Sequence, residues 1–256
     1  MDGYKQLSLF LLCLVIAPLS AQEKTEEKPP EHKLVPAIKI ARQSLEAAKQ
    51  IEDFTATFFK REIVNGKVVI HSMSMKYRQT PFSAYLRFNK PNEGREVIYV
   101  EGQNDGNLLA HETGIKGIVG TISLHPTSKE AMSESKQPIT ELGLHKLAEQ
   151  MIKQWEFESK YGECELKYYP EAKLGELKCL VIESSHPVPR RQFPYHMTRF
   201  FIDKATKIPV RIEHYGFPSK QGEKPPLMEE YTYSNIKPNV GLSDIDFDPR
   251  NPNYNF

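Results

Sequence analysis

The sequence predicts an α+β protein: a strongly curved antiparallel sheet with two helices covering its concave side. Three observations carry that prediction. About eight to ten short runs alternate apolar and polar residues, compact turns join them, and only two segments show the three-and-four spacing of an amphipathic helix.

Residues 1–21 stand apart from that pattern. Lys5 precedes an apolar run, Leu7 to Ile16, and Pro18-Leu19-Ser20-Ala21 ends in a small residue before the polar Gln22. The run is too short to cross a bilayer as a helix, so it reads as a cleaved secretory signal rather than an anchor. Cys13 lies inside the run without small residues before it, which argues against a lipoprotein cleavage site. The expected mature chain is therefore exported and soluble. Residues 22–34 (QEKTEEKPPEHKL) are charged and almost free of apolar side chains, as in a flexible leader. Residues 35–256 show no boundary that would force two domains.

Pro36 opens the first helix, with Ile38, Ala41, Leu45 and Ala48 on one face and Lys39, Arg42, Glu46 and Lys49 elsewhere. Asp53 to Ile63, rich in Phe and Thr, and Lys67 to Gln79 form a hairpin around Asn65-Gly66, a strong two-residue turn signal. In its second arm Val69, His71, Met73, Met75 and Tyr77 share one face, and Ile70, Ser72, Ser74, Lys76 and Arg78 the other. Pro81 breaks the chain; Phe82, Ala84, Leu86 and Phe88 then alternate with Ser83, Tyr85 and Arg87. Val97 to Val100 and Leu108 to Ala110 complete an antiparallel meander with one wet face and one dry face. Beyond Thr113 the pattern weakens. Ile115 to Leu124 has room for a short strand, and the polar Thr127 to Gln137 is either a lid or a disordered connection. The second helix runs from Ile139 to about Trp155, with Leu144, Leu147, Ala148, Met151 and Trp155 on one stripe. Met197 to Asp203, Ile208 to Tyr215 and Leu227 to about Asn235 are the closing strands.

The 34 basic and 33 acidic residues leave a net charge of +1, so the chain lacks the basic stripe expected of a nucleic-acid partner. Arg190-Arg191 is a local exception and reads as a solvated loop. Once the signal is removed, Cys164 and Cys179 remain, flanking a hairpin punctuated by Pro170 and Gly175. Two cysteines so placed in an exported chain are expected to form one disulfide, contributing about 3 kcal/mol through closure of a short loop. A redox or metal pair would need C-x-x-C spacing or nearby ligands. The polarity of the two arms does not match a simple two-residue turn, so the register stays open.

The order of elements resembles a known superfamily. A helix, then Phe54-Thr55-Ala56-Thr57-Phe58, the break at Pro81-Phe82, Tyr85-Leu86 before Lys90-Pro91, and Asp105-Gly106-Asn107-Leu108-Leu109 follow one another in a familiar sequence. So do Tyr231-Thr232-Tyr233-Ser234-Asn235, Asn239 and the run Leu242 to Pro249. This resembles the LolA/LolB-like lipoprotein-carrier superfamily of the bacterial periplasm, to which the sensor RseB is related. Pro138-Ile139-Thr140-Glu141-Leu142-Gly143 and the ending Asn251-Pro252-Asn253-Tyr254 are most similar to an exported bacterial domain-of-unknown-function family near it. The resemblance implies an unclosed half-barrel capped by helices, a periplasmic or cell-envelope location, and acyl chains held in the space between. The carriers have an arginine directly before the proline that ends the second strand; here Thr80 stands there and Arg78 lies two residues earlier.

Candidate site residues lie on the dry face of the first meander: Phe54, Phe58, Met73, Met75, Tyr77, Phe82, Leu86 and Phe88. They line an acyl-binding cavity or fill an ordinary core, and burial is expected either way. Catalytic signatures are lacking: no G-x-S-x-G, no H-E-x-x-H, no phosphate loop and no dinucleotide fingerprint. His111-Glu112 has no second histidine four residues on. Asp244, Asp246 and Asp248 alternate like the start of a calcium loop, but Pro249 takes the glycine position and no glutamate closes it. That run reads as a strand end, Phe247 inward and the acids wet. The expectation is a non-catalytic binding protein without metal or cofactor, taking a lipid or lipidated protein. A sensor or interaction module with an envelope protein partner and no lipid, and a hydrolase with a non-standard site, are the alternatives.

Overall fold

The alternating runs become strands because each buries every second side chain, and they bond in one sheet because short turns leave each beside its predecessor. The computed structural model describes residues 31–114, 120–220 and 222–256. The expected signal, the leader as far as residue 30, and residues 115–119 of the expected short strand lie outside the described residues. The strands are β1 (Asp53–Val64), β2 (Lys67–Arg78), β3 (Ser83–Lys90), β4 (Glu96–Val100), β5 (Leu108–His111) and β6 (Thr121–Leu124). After a gap come β7 (Glu165–Leu174), β8 (Leu177–Ser185), β9 (Met197–Asp203), β10 (Pro209–Tyr215) and β11 (Leu227–Pro238). They form an 11-stranded sheet in the order β6-β5-β4-β3-β2-β1-β11-β10-β9-β8-β7, one strand more than the upper count read from the sequence. Every neighbouring pair is antiparallel. Two meanders thus meet where the first strand bonds the last.

Local chemistry sets the turns. Asn65 and Gly66 both take positive φ (51° and 76°) between Val64 and Lys67, the mirror-image turn that matches strand twist. The β7–β8 hairpin closes on Gly175 and Glu176, with Leu174 opposite Leu177. Its arms looked out of step because the register shifts between Tyr169 and Ala172, where Pro170 and Glu171 form a bulge on an edge strand.

That register also removes the expected disulfide. Cys164 and Cys179 are buried free thiols. Cys179 lies opposite Ala172, whereas Cys164 precedes Glu165, which lies opposite Ser185. The six residues from 179 to 185 span about 20 Å of strand, against the roughly 7 Å that a disulfide bridges. Burial, with Glu158 nearby, pushes the Cys164 thiol up to about 12.

Helix α1 (Leu34–Lys49) buries Leu34, Ala37, Ile38, Ala41, Ser44 and Ala48, so the last residue of the expected leader already belongs to the core. Pro36 falls in the first turn, where no intrahelical N–H is needed. Helix α2 (Leu144–Glu158) starts five residues later than its periodicity suggested, after a single 3₁₀ turn at Ile139–Glu141. Leu142 is extended, and Gly143 at φ 130° turns the chain into the helix. A Cβ on Gly143 would stand 3.0 Å from the Tyr77 ring, and its N–H donates to the Tyr233 hydroxyl at 3.0 Å. The helices pack on each other and on β10, covering the face that carries Phe54, Phe58, Met75 and Tyr233.

The opposite face carries a smaller cluster of Tyr85, Ile98, Val100 and Phe247, packed under the C-terminal tail. Tyr254 stacks on Tyr85 at 4.1 Å. The run 244–248 is therefore a 3₁₀ turn with a Ser243 capping box rather than a strand end; Phe247 is buried as expected. Its acids reach water as expected and are also paired: Asp246 with Lys76 and the exposed Asp244 with Arg78, each at 2.7 Å, and Asp248 with Arg250. Arg78, with its guanidinium over Phe247, anchors this tail. Asp53 accepts from the N–H groups of Val240, Gly241 and Leu242 and holds the start of the tail.

Two outcomes follow. Gly143→Ala combines a disfavoured φ with a clash against Tyr77, and should lower stability by about 1–3 kcal/mol in urea titrations. The midpoint of the unmodified protein should be the same with and without a thiol reductant; a drop on reduction would contradict the free-thiol assignment.

Candidate functional site

The registers of β1 to β6 stack inward-facing residues in rows across the sheet. One row is Phe58, Met73 and Phe88, and the next is Leu86, Val97, Ala110 and Ile122. Toward the β1–β2 turn the row becomes polar, with Lys60 directly opposite His71. The residues from Pro126 to Leu142 roof these rows, leaving a cavity of about 310 Å³ that is apolar along the strands and charged at one end.

Thr127 to Gln137 is an ordered run of turns, part of a strap, and ionic contacts hold it down. The Lys60 ammonium donates to Glu62 at 3.1 Å, to the Glu134 carbonyl at 3.0 Å and to the Ser135 hydroxyl at 2.8 Å. Arg95 bridges Glu134 at 2.7 Å and Glu112 at 2.8 Å, with its guanidinium over the Phe88 ring. Lys136 pairs with Glu229, and its backbone N–H donates to Glu62. Tyr231 lies within hydrogen-bond distance of Glu62 (2.6 Å) and Glu229 (3.1 Å).

Burial sets the protonation of this end. It pushes the Lys60 ammonium below its ordinary range despite Glu62. Burial and then the Lys60 charge bring His71 down to about 4. Burial opposes the charged form of Glu229, yet Lys136 and His214 hold its carboxyl below the usual value. His214, stacked on Tyr195 at 4.2 Å and bonded to Thr198 at 3.0 Å, is brought by burial to about 4.

Four of the eight expected site residues, Phe58, Met73, Leu86 and Phe88, line the cavity. The others stand elsewhere. Phe54 stacks on Tyr77 at 4.7 Å, Tyr77 meets Phe82 edge-on and reaches His145 of α2 at 3.3 Å, and Phe82 packs on Tyr99. These three and Met75 lie in or against the packed core and do not line the cavity. Sequence reasoning missed Lys60, Arg95, Glu112 and Glu134. Lys60 at an inward position of β1 was a usable signal, since an isolated inward lysine needs partners; the strap residues gave none. Among the described residues, no group of three or more His, Cys, Asp or Glu side chains could hold a metal ion. None of the described helices is long and apolar enough to cross a membrane.

Both histidines have folded-state values below the ordinary 6.5, so they favour folding above that pH and lose this contribution as pH falls toward 4. Between pH 7 and 5 the loss should be on the order of 2 kcal/mol per histidine. His214→Gln should flatten the measured slope of stability against pH; an unchanged slope would remove His214 from this role.

No curated protein matches the chain. Among solved structures it is similar to the Mycobacterium tuberculosis lipoprotein LppX, at 15% identity and a TM-score of 0.49, over 84% of this chain and 100% of that one. It is similar to a LolA superfamily protein of Nitrosomonas europaea at 13% identity and a TM-score of 0.33, over 81% and 97% of the two chains. A third likeness is to the Pseudomonas aeruginosa MucA/MucB complex, at 15% identity and a TM-score of 0.44, over 83% of this chain and 60% of that one. A match over residues 51–256, running from the end of α1 to the last residue of the tail, shows that the chain belongs to the family described as protein of unknown function DUF1571.

Proposed function

We propose that this is an exported, non-catalytic binding protein of the cell envelope that takes an acyl chain of a lipid or lipidated protein under the strap. One observation carries the reading: an apolar cavity of about 310 Å³ roofed by a segment held mainly through polar contacts. That volume lies at the lower end of ligand cavities, about 300–1,000 Å³. Each buried methylene contributes about 0.8 kcal/mol, so ten would supply about 8 kcal/mol, offset by the lost freedom of the chain. A roof held by ion pairs can part from the sheet without exposing a helix face, because the helices pack on β10, on the other side of the β1–β11 seam.

Native mass spectrometry of the protein incubated with monopalmitoylglycerol tests this. A one-to-one adduct is expected, lost in Ala110→Phe, which fills the cavity, and kept in Met75→Leu, which alters the neighbouring packed core. A clean apo mass for the unmodified protein, with monopalmitoylglycerol and with an envelope lipid extract, would overturn the proposal and turn attention to a protein partner.

A further inference from the structure

Where α2 ends and β8 gives way to the loop 187–196, two ionisable side chains face each other out of water. His186 is 2% exposed and Glu158 1%. The Nδ1 of His186 lies 2.7 Å from the Glu163 carbonyl, which only accepts, so Nδ1 carries a proton. Its Nε2 lies 3.3 Å from Oε2 of Glu158, and neither atom has a hydrogen bond to any other described residue. The second Glu158 oxygen accepts from Gln154 at 2.8 Å. A neutral ring in this place would turn the Nε2 lone pair toward a carboxylate, two acceptors facing each other in a desolvated space. A proton on Nε2 removes that conflict and makes the contact a charge-assisted one.

That proton fastens a loop. Phe193, itself buried, stacks on the His186 ring at 3.7 Å and 6°, and Tyr161 meets Phe193 edge-on. Nearer the surface Arg190 makes two bonds with Glu163, at 2.9 and 3.0 Å. The other titratable groups around the pair are otherwise occupied. The Cys164 thiol is pushed up to about 12 and so stays neutral, with Lys33 acting on it from the start of α1. His196 turns its Nδ1 to the His186 carbonyl at 2.9 Å, and His32 reaches the Tyr161 carbonyl at 2.7 Å. Burial works against a charge on His186, but Glu158 and the Glu163 carbonyl outweigh it and hold the imidazolium above the ordinary 6.5. Its contribution is complete below 6.5 and is lost as pH rises, the reverse of His71 and His214. We infer that Glu158 and His186 form a proton-operated latch, which holds the loop 187–196 down on the end of α2 and frees it when the Nε2 proton is lost to solvent. The buried carboxylate then stands against a lone pair, and the ring and Phe193 leave together.

Two measurements test the latch. Proton–nitrogen correlation spectra of the histidine rings, with the His186 signals assigned by their loss in His186→Gln, should show both of its nitrogens protonated at pH 7, where an ordinary imidazole is mostly neutral. Trypsin cleavage after Arg190 and Arg191, normalised to hydrolysis of a small arginine ester, should accelerate at least about tenfold between pH 6.5 and pH 9, the scale of one pKa unit of differential interaction. In Glu158→Gln the introduced amide donates to a neutral Nε2, so the loop should stay closed and cleavage slow across the same range. Thermal denaturation at pH 6.5 checks that this variant is folded. A neutral His186 at pH 7 would overturn the held proton. Cleavage of the unmodified protein that is flat with pH would overturn the latch, and an equal acceleration in Glu158→Gln would overturn its assignment to this pair.

Discussion

Everything in this fold depends on the antiparallel pairing of β1 with β11. The two strands come from opposite ends of the domain: the Tyr231 hydroxyl reaches Glu62 across 169 positions of sequence. Without that seam each meander would present an open sheet edge and half a hydrophobic face, a marginal arrangement in water. With it, Phe58 packs on Tyr233 at 4.7 Å and Phe54 meets Tyr233 edge-on at 6.1 Å, so aromatic packing spans the seam. Bringing such distant segments together costs loop-closure entropy, which rises only slowly with length.

The seam also divides the covered face into two unlike halves. Toward β10 the helices offer long apolar stripes that fill the space down to the strands, with Trp155 and Met151 almost wholly enclosed. Toward β6 the roof is a polar strap whose apolar contributions are few, among them Pro126, Ala131 and Ile139. Such a segment cannot reach into every row, and the rows it fails to fill become the cavity. Hollow and packed regions therefore follow from what covers the sheet, since the inward strand residues are much the same in both.

Holding a polar strap over an apolar cavity requires charges at its margin, and these are costly to bury unless matched. Lys60, Glu62, Arg95, Glu112, Glu134, Lys136 and Glu229 meet that requirement by pairing among themselves.

Alternation, turn residues and helical periodicity determined the fold class, the Asn65-Gly66 hairpin and the inward faces of α1, α2 and β2, because these are properties of neighbouring residues. Phe58, Met73, Leu86 and Phe88 were legible as inward for the same reason. Whether an inward residue meets a helix or a void was not, since Met73 and Met75 are two positions apart on one face and differ only in what lies above them. The fate of Cys164 and Cys179 turned on the pairing register of the β7–β8 hairpin, which holds them far apart along the strands, and the start of α2 on the contact between Gly143 and Tyr77. The charged end of the cavity draws residues from β1, the turn before β4, the chain after β5 and the strap. Only the tertiary structure could decide it, because a charge network is a property of distances that the order of residues does not contain.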